Sequence, residues 1–152
     1  MKRPSFSHRF LLLATAIACC GCRATSIHNA EIEAVDYAYR APGIVDPGLV
    51  AFRFTNHGKV AHEVQIFRFR PGTTVELANR YLQTGSVPDS AADASGSELI
   101  ANAGLTAPER VLIQAVPGEL YALMCQFRDS AGKPQHASLG MVALVRVEND
   151  IH

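Results

Sequence analysis

The segment FRFTNHGKVAHEVQI, residues 52–66, holds two runs in which apolar and polar residues alternate. In the first run, two phenylalanines alternate with polar side chains. In the second run, His62 shares one face with Val64 and Ile66. A period of two over this length predicts two strands that each bury one face. The Asn-His-Gly-Lys stretch between the runs predicts the turn at which the first strand ends.

Strand patterns return on both sides of this segment, and one helical pattern interrupts them. The further predicted strands cover 32–39, 98–102, 109–115, 120–127 and 141–148. Thr73 and Glu76 form a capping box, which predicts a helix over about 74–83, and residues 84–97 are predicted to be a loop. Some seven short strands predict an all-β, Greek-key β-sandwich over residues 30–149, with one short inserted helix.

The first residues have the pattern of an export signal. Three basic residues precede an apolar run that is too short to span a bilayer as a helix. Residues 1–22 are therefore predicted to be a signal peptide, and the small residue before Cys19 predicts that this cysteine is lipidated. Cys20 and Cys22 are alternative lipidation sites. A second alternative is cleavage of the signal peptide near Ala24 without lipidation.

The net charge of the exported chain indicates which kinds of molecule it can bind. Residues 19–152 contain 11 basic and 14 acidic residues, a net charge of −3. Because no basic stripe is available to neutralise phosphates, nucleic acid is excluded as a partner. Residues 23–29 are predicted to be a linker to a domain in the periplasm or cell envelope, which contacts the membrane only through the lipid.

A second segment, MCQFRDSAGKPQHASLGM at residues 124–141, places Cys125, His136 and Met141 on one connection between strands. Cys125 has the parity of the apolar residues in its strand, so this connection lies at one pole of the predicted sandwich. His62 points inward at the start of its own strand and is the candidate for a further ligand. Two histidines, a thiolate and a thioether form a soft donor set that favours copper.

Residues 52–66 and 121–147 resemble the cupredoxins, the plastocyanin- and azurin-like copper proteins, in the ordered set Asn, Gly, His, Cys, His and Met. The resemblance implies a carrier of single electrons that meets a redox partner protein. It also implies that His136 is an exposed edge ligand beside a docking patch at Leu139 and Gly140. The implied ligands of one type 1 copper are His62, Cys125, His136 and Met141.

The sequence departs from the patterns of that family in several places, of which two bear most on the site. Ten residues separate Cys125 from His136, and Glu63 stands where plastocyanins have an asparagine. His57 is a possible substitute ligand, although its polar turn predicts exposure. Since no catalytic triad, carboxylate pair or phosphate loop appears, the chain is predicted not to be an enzyme. The alternatives are a copper storage, delivery or sensing module, and a structural sandwich lipoprotein with a lost site.

Overall fold

A computed structural model describes residues 26–149, apart from the side chains of residues 94–96. This part of the chain forms nine strands, one α-helix and one 3₁₀ turn. The strands are β1 Ile27–Val35, β2 Ala38–Arg40, β3 Ile44–Val45, β4 Gly48–Asn56, β5 His62–Phe69, β6 Ala92–Ala101, β7 Val111–Ala115, β8 Leu120–Met124 and β9 Val142–Val147. The helix α1 is Val75–Gln83, and the 3₁₀ turn is His136–Leu139. In the described part of the chain, no helix is long and apolar enough to cross a membrane.

Two mixed sheets pack face to face. The first sheet has the order β2-β1-β4-β7 and the second has the order β3-β9-β8-β5-β6, with parallel pairing only between β1 and β4 and between β3 and β9 among the described strands. Alternate residues of each strand enter the core between the sheets, as a period of two requires. The largest apolar side chains of that core are Ile32, Phe52, Phe54, Ile66, Leu99, Tyr121 and Leu123. The predicted all-β sandwich with one short helix is confirmed.

The helix packs on the outer face of the second sheet and builds a smaller core there. Ala78 and Leu82 of α1 are buried with Phe69 of β5 and with Ala137 of the 3₁₀ turn. The helix begins one residue later than the capping-box pattern predicts, because the hydroxyl of Thr74 accepts the hydrogen bond from the Leu77 N–H at 3.2 Å. The smaller core anchors the 3₁₀ turn from the side opposite the main core.

Several element boundaries differ from the sequence predictions, and the following concern β1, β2 and β6. The strand predicted over 32–39 is two strands, β1 and β2, joined by a turn at Asp36 and Tyr37. Residues 92–97, predicted as a loop, belong to β6, whose pairing with β5 continues past an irregularity. Residues 27–29, assigned to the linker, pair with β4 and therefore belong to the domain. In each case the alternation of apolar and polar side chains was too weak to define the end of the strand. Backbone pairing with a neighbouring strand determines that end instead.

The structure does not test the predictions for the N-terminus. The signal peptide at 1–22, the lipidation of Cys19 and the alternatives to it all lie outside the described residues.

Several elements end together at one pole of the sandwich. His62 begins β5, Met124 ends β8, and Val142 begins β9, and these strands lie side by side in the second sheet. In the first sheet, β4 ends nearby at Asn56, whose side chain bonds to the end of β6. The pole therefore gathers strand ends from both sheets around one point.

Candidate metal centre

Three buried donor atoms meet at this pole. His62 Nδ1 lies 3.1 Å from His136 Nδ1, and Cys125 Sγ lies 3.9 Å from the first nitrogen and 3.4 Å from the second. The relative exposure of the three residues is 0%, 1% and 0% for His62, His136 and Cys125. They are the one group of three or more potential metal-binding side chains of this kind within the described residues.

The size of this triangle matches a single metal ion. A point equidistant from the three atoms lies about 2.0 Å from each, and metal ions bind imidazole nitrogen and thiolate sulfur at about 2.0 to 2.3 Å. Two imidazoles and one thiolate in a trigonal arrangement are the strong donors of a type 1 copper site. The structure brings three of the four predicted donors together, and their geometry is compatible with one copper ion.

Regular structure holds His62. The residue starts β5 and pairs with Ala101 of β6, and the buried Asn56 side chain braces the turn before it. The Asn56 amide donates to the carbonyls of Val60 and Ala101 at 2.8 and 2.9 Å, and its oxygen accepts the Gly58 N–H at 2.8 Å. One side chain therefore satisfies three backbone groups and fixes the entry of the chain into β5.

Gly58 permits the close approach of this turn to the imidazole. A Cβ at this position would lie 2.7 Å from Asp36 Oδ1 and 3.0 Å from both Asn56 Oδ1 and His62 Nε2. A larger residue would therefore force the side chains of Asp36, Asn56 or His62 to shift, so glycine is favoured here by space and not by its backbone angles. The Asn…Gly…His order in the sequence therefore has a physical basis.

A network of backbone hydrogen bonds brings His136 back to Cys125 in spite of the ten residues between them. The Ala137 N–H donates to the Cys125 carbonyl at 2.7 Å, and the His136 N–H donates to the Phe127 carbonyl at 2.8 Å. At the far end, the Lys133 N–H donates to the Ser130 carbonyl at 3.1 Å and closes a turn. The long connection is thus folded back on itself, and both of its ends reach the site.

Cys125 and Met141 lie just outside the strands that were predicted to contain them. Cys125 follows β8 directly, and Met141 precedes β9. The Cys125 N–H donates to the Met141 carbonyl at 3.2 Å, and the Met141 N–H donates to the His136 carbonyl at 3.0 Å. Both side chains are fully buried in the main core. Ligation of a metal by His62, Cys125, His136 and Met141 stays a prediction.

The prediction that His136 is an exposed edge ligand is wrong, because its relative exposure is 1%. Its Nε2 lies 3.1 Å from Asp129 Oδ1. Because the Asp129 carboxylate accepts a hydrogen bond from Nε2, the imidazole proton is on Nε2. The lone pair of Nδ1 then points to the donor cluster and is free to bind a metal. Tyr37 covers the ring in place of solvent. Leu139 and Gly140 are exposed, as predicted, and so is His57, which lies 3.9 Å from Glu33.

The protein groups around the donors favour neutral forms of Cys125 and His62. Burial raises the pKa of the Cys125 thiol, although hydrogen bonds from the Glu63 and Phe127 N–H groups lower it. Burial, followed by the nearby His136, lowers the pKa of His62. His62 Nε2 is buried without a hydrogen-bond partner among the described residues. A cation between the donors would offset the negative charge of the thiolate. It would also offset the repulsion between the two imidazole nitrogens that face each other.

Glu63 marks a difference from plastocyanins and gives the site a buried carboxyl group. Its side chain accepts the Gln126 N–H at 2.7 Å, which ties β5 to the connection after Cys125. The Tyr39 hydroxyl donates to the Glu63 carbonyl on the same side. Burial raises the pKa of Glu63 to about 7, and a hydrogen bond with Glu98 acts in the same direction.

Sequence reasoning missed four residues that support the donors. Three of them, Tyr37, Tyr39 and Asp129, had no motif of their own, since their roles depend on contacts between distant segments. Glu63 was noticed only as a departure from a family pattern. The sequence offered one signal for these residues. Each is a polar or aromatic side chain at a position where a simple turn or strand does not need one.

The solved structures that resemble this chain include two auracyanins and a rusticyanin. Reduced auracyanin from the photosynthetic bacterium Roseiflexus castenholzii is 14% identical with a TM-score of 0.48, over 82% of this chain and 98% of that chain. Auracyanin A, described as a "blue" copper protein from Chloroflexus aurantiacus, is 16% identical with a TM-score of 0.46, over 80% and 99%. Rusticyanin from Thiobacillus ferrooxidans is 15% identical with a TM-score of 0.46, over 82% and 79%.

No family profile matches the chain, and no curated protein matches it in sequence. At these levels of similarity, any assignment of a metal to this site depends on the donor atoms of this chain and not on the similar structures.

Proposed function

We propose that this chain is an exported type 1 copper protein that carries single electrons to a protein partner. The observation that supports this function is the buried triangle of two imidazole nitrogens and one sulfur, with a separation suited to one ion. Copper bound there would supply a one-electron couple that a thiolate and imidazoles support in both oxidation states.

The protein contributes a rigid donor set to this function. His62 is held by the turn that Asn56 braces, Cys125 by its backbone bond to Met141, and His136 by Asp129. Since these contacts fix all three donors, little has to move when a charge is gained or lost at the centre. Met141 is buried in the main core together with Cys125 and would hold the copper as a fourth, weaker ligand.

The test is a titration of the chain with copper(II), followed by its visible spectrum. We expect binding of one ion and an intense charge-transfer band near 600 nm, roughly where Cys–Cu(II) ligation absorbs. Cys125→Ser should abolish the band, and His62→Ala or His136→Ala should lower affinity strongly. His57→Ala is the matched control, since this exposed histidine faces Glu33 and lies outside the cluster.

Other outcomes separate the alternative functions. Tight binding without the band would favour copper storage, delivery or sensing. Absence of stoichiometric binding, or full binding by Cys125→Ser, would contradict the site and leave a structural sandwich protein. If the band forms, oxidation and reduction in a full reversible cycle would support electron transfer, and a colour that cannot be bleached by mild reductants would contradict it.

Export and lipid anchoring belong to the same proposal. The support is the signal pattern at 1–22 and the small residue before Cys19. If Cys19 is lipidated, Cys19→Ala should move the chain from the membrane fraction to the soluble fraction, and mass spectrometry should find a diacylglyceryl group only on the unmutated chain. An unmodified Cys19 in the processed chain would contradict the anchor.

A further inference from the structure

None of the three donor side chains of the proposed centre reaches the protein surface. His62, Cys125 and His136 each have a relative exposure of 1% or less. An electron or a small molecule must therefore cross at least one further residue between solvent and the donors. The identity of that residue decides where a redox partner has to bind.

Tyr37 stands between the histidines and solvent. Its ring lies edge-on to the His136 ring, with centroids 5.0 Å apart, and to the His62 ring, with centroids 6.2 Å apart. The residue itself is only partly buried. A single aromatic side chain thus contacts both imidazoles on its inner side and solvent on its outer side.

Asp129 holds this ring in place. One carboxylate oxygen, Oδ2, accepts a hydrogen bond from the Tyr37 hydroxyl at 2.7 Å. The other, Oδ1, accepts from His136 Nε2 at 3.1 Å. The same carboxylate therefore fixes the cover and the ligand that it covers, and joins the β1–β2 turn to the connection after Cys125.

The backbone of Tyr37 shows that this placement has an energetic cost. Tyr37 has φ of 60°, and it is the one non-glycine residue with positive φ among residues 26–149. Glycine or asparagine would suit such a turn position better than a tyrosine. Strain of this kind persists where surrounding contacts hold the residue, and here those contacts are the two imidazoles and Asp129.

We propose that the Tyr37 ring is the contact through which the buried centre exchanges electrons, so that a partner binds over Tyr37 and not over the exposed Leu139. Leu139 follows His136 in the 3₁₀ turn and is 47% exposed, which makes it the rival contact. This inference rests on the proposed electron-transfer function, because it names the surface that such a function would use.

The first test needs no metal. In the metal-free chain, iodoacetamide should alkylate Cys125 at least tenfold faster after Tyr37→Gly, because removal of the ring opens the route to the donors. Glycine suits the positive φ of this position, so the turn should still form. Tyr37→Asn is the second variant, since asparagine also tolerates this conformation. Mass spectrometry of the Cys125 peptide separates its reaction from that of Cys19, Cys20 and Cys22.

The second test measures electron exchange in the copper-loaded chain. Stopped-flow mixing with hexacyanoferrate(III) follows a reaction in which the reduced protein loses one electron and hexacyanoferrate(III) becomes hexacyanoferrate(II). Tyr37→Gly should raise the rate at least tenfold, since the reagent comes closer to His136. Tyr37→Phe keeps the ring and should stay within threefold of the unchanged chain. Reduction potentials measured for each variant allow the effect of driving force to be removed.

Leu139→Ala is the matched control in both tests and should change neither rate by more than threefold. Rates that stay within threefold in both Tyr37→Gly and Tyr37→Asn, or a larger effect of Leu139→Ala, would overturn the inference. Those results would leave the proposed function intact as long as the band near 600 nm forms, about where such ligation absorbs. If the unchanged chain forms no such band, the proposed function fails and the inference about electron exchange fails with it.

Discussion

The two histidines of the centre are held in different ways. His62 belongs to a strand whose entry is fixed by Asn56 and Gly58, so its position depends on regular structure and on close packing. His136 belongs to an irregular connection, and its orientation depends on one carboxylate, Asp129, and one ring, Tyr37. Changes near His62 should therefore affect folding and binding together, whereas changes near His136 should affect binding with less effect on folding.

The largest effect is expected on the His62 side, from Asn56→Ala. The change leaves the part-buried carbonyl of Val60 and the buried carbonyl of Ala101 without their donor, and each such loss costs about 1 to 3 kcal/mol. We expect the free energy of unfolding to fall by about 3 kcal/mol, measured by urea denaturation. The exposed Asn102→Ala is the control, and equal effects of the two changes would show that Asn56 does not brace the turn.

Gly58→Ala should affect stability and metal binding at the same time. The new Cβ would lie 2.7 Å from Asp36 Oδ1 and 3.0 Å from His62 Nε2, so one of these groups must move. A loss of about 2 kcal/mol in unfolding free energy is expected, as for other overpacked positions, with weaker copper binding by calorimetry. Gly43→Ala is the matched control, because no atom lies within 4 Å of its Cβ position. A fully stable Gly58→Ala protein would contradict the crowded turn.

The stability of the metal-free chain should depend on pH through Glu63. Burial raises its pKa from 4.5 to about 7, so between these values the folded chain binds more protons than the unfolded chain. Stability should therefore fall by about 1 to 2 kcal/mol as pH rises from 5 to 8. Glu63→Gln resembles the protonated form and should lose less over this range. Parallel denaturation curves for both chains at every pH would refute this role for Glu63.

On the His136 side, Asp129→Asn should weaken copper binding about tenfold, as is typical when the partner of a metal-bound histidine is changed. The unfolding free energy should change by less than about 1 kcal/mol, because the Asp129 side chain is 38% exposed. Asp46→Asn at the opposite pole is the control. If Asp129→Asn destabilises the fold as strongly as Asn56→Ala, the contrast between the two histidines does not hold.

The smallest effect concerns the helix that supports the 3₁₀ turn. Thr74→Ala removes the side-chain acceptor of the Leu77 N–H and should cost about 1 kcal/mol of unfolding free energy. Thr73→Ala should have little effect, which distinguishes the observed cap from the one that the capping-box pattern predicts. A greater loss for Thr73→Ala would restore the original prediction.

Much of the sandwich was predictable because strand periodicity reports burial directly. The faces of β4 and β5 follow from the alternation in residues 52–66, and His62 was placed inward by the same rule. The end of β1 was not predictable in this way, since its period of two continues through Asp36 and Tyr37 although the chain turns there. A turn made by a strained tyrosine leaves no glycine or proline as a signal.

The identities of the donors were predictable and their surroundings were not. Cys125 and His136 were assigned from residue type and order, which carry the metal chemistry. The burial of His136 depends on Tyr37, which lies nearly a hundred residues earlier, and on one rotamer of Asp129. Contacts between side chains so distant in the chain have no periodic signature, so the exposed histidine of the family pattern was carried over wrongly.

The connection between Cys125 and His136 has a consequence for how such a protein can diversify. Hydrogen bonds at its base, from His136 to Phe127 and from Ala137 to Cys125, close it independently of its tip. The tip around Gly132 has open space about it and makes a local turn. Insertions there would lengthen the loop without moving a ligand. This tip is therefore a place where new recognition sequences can be acquired, by evolution or by engineering, while the metal chemistry stays the same.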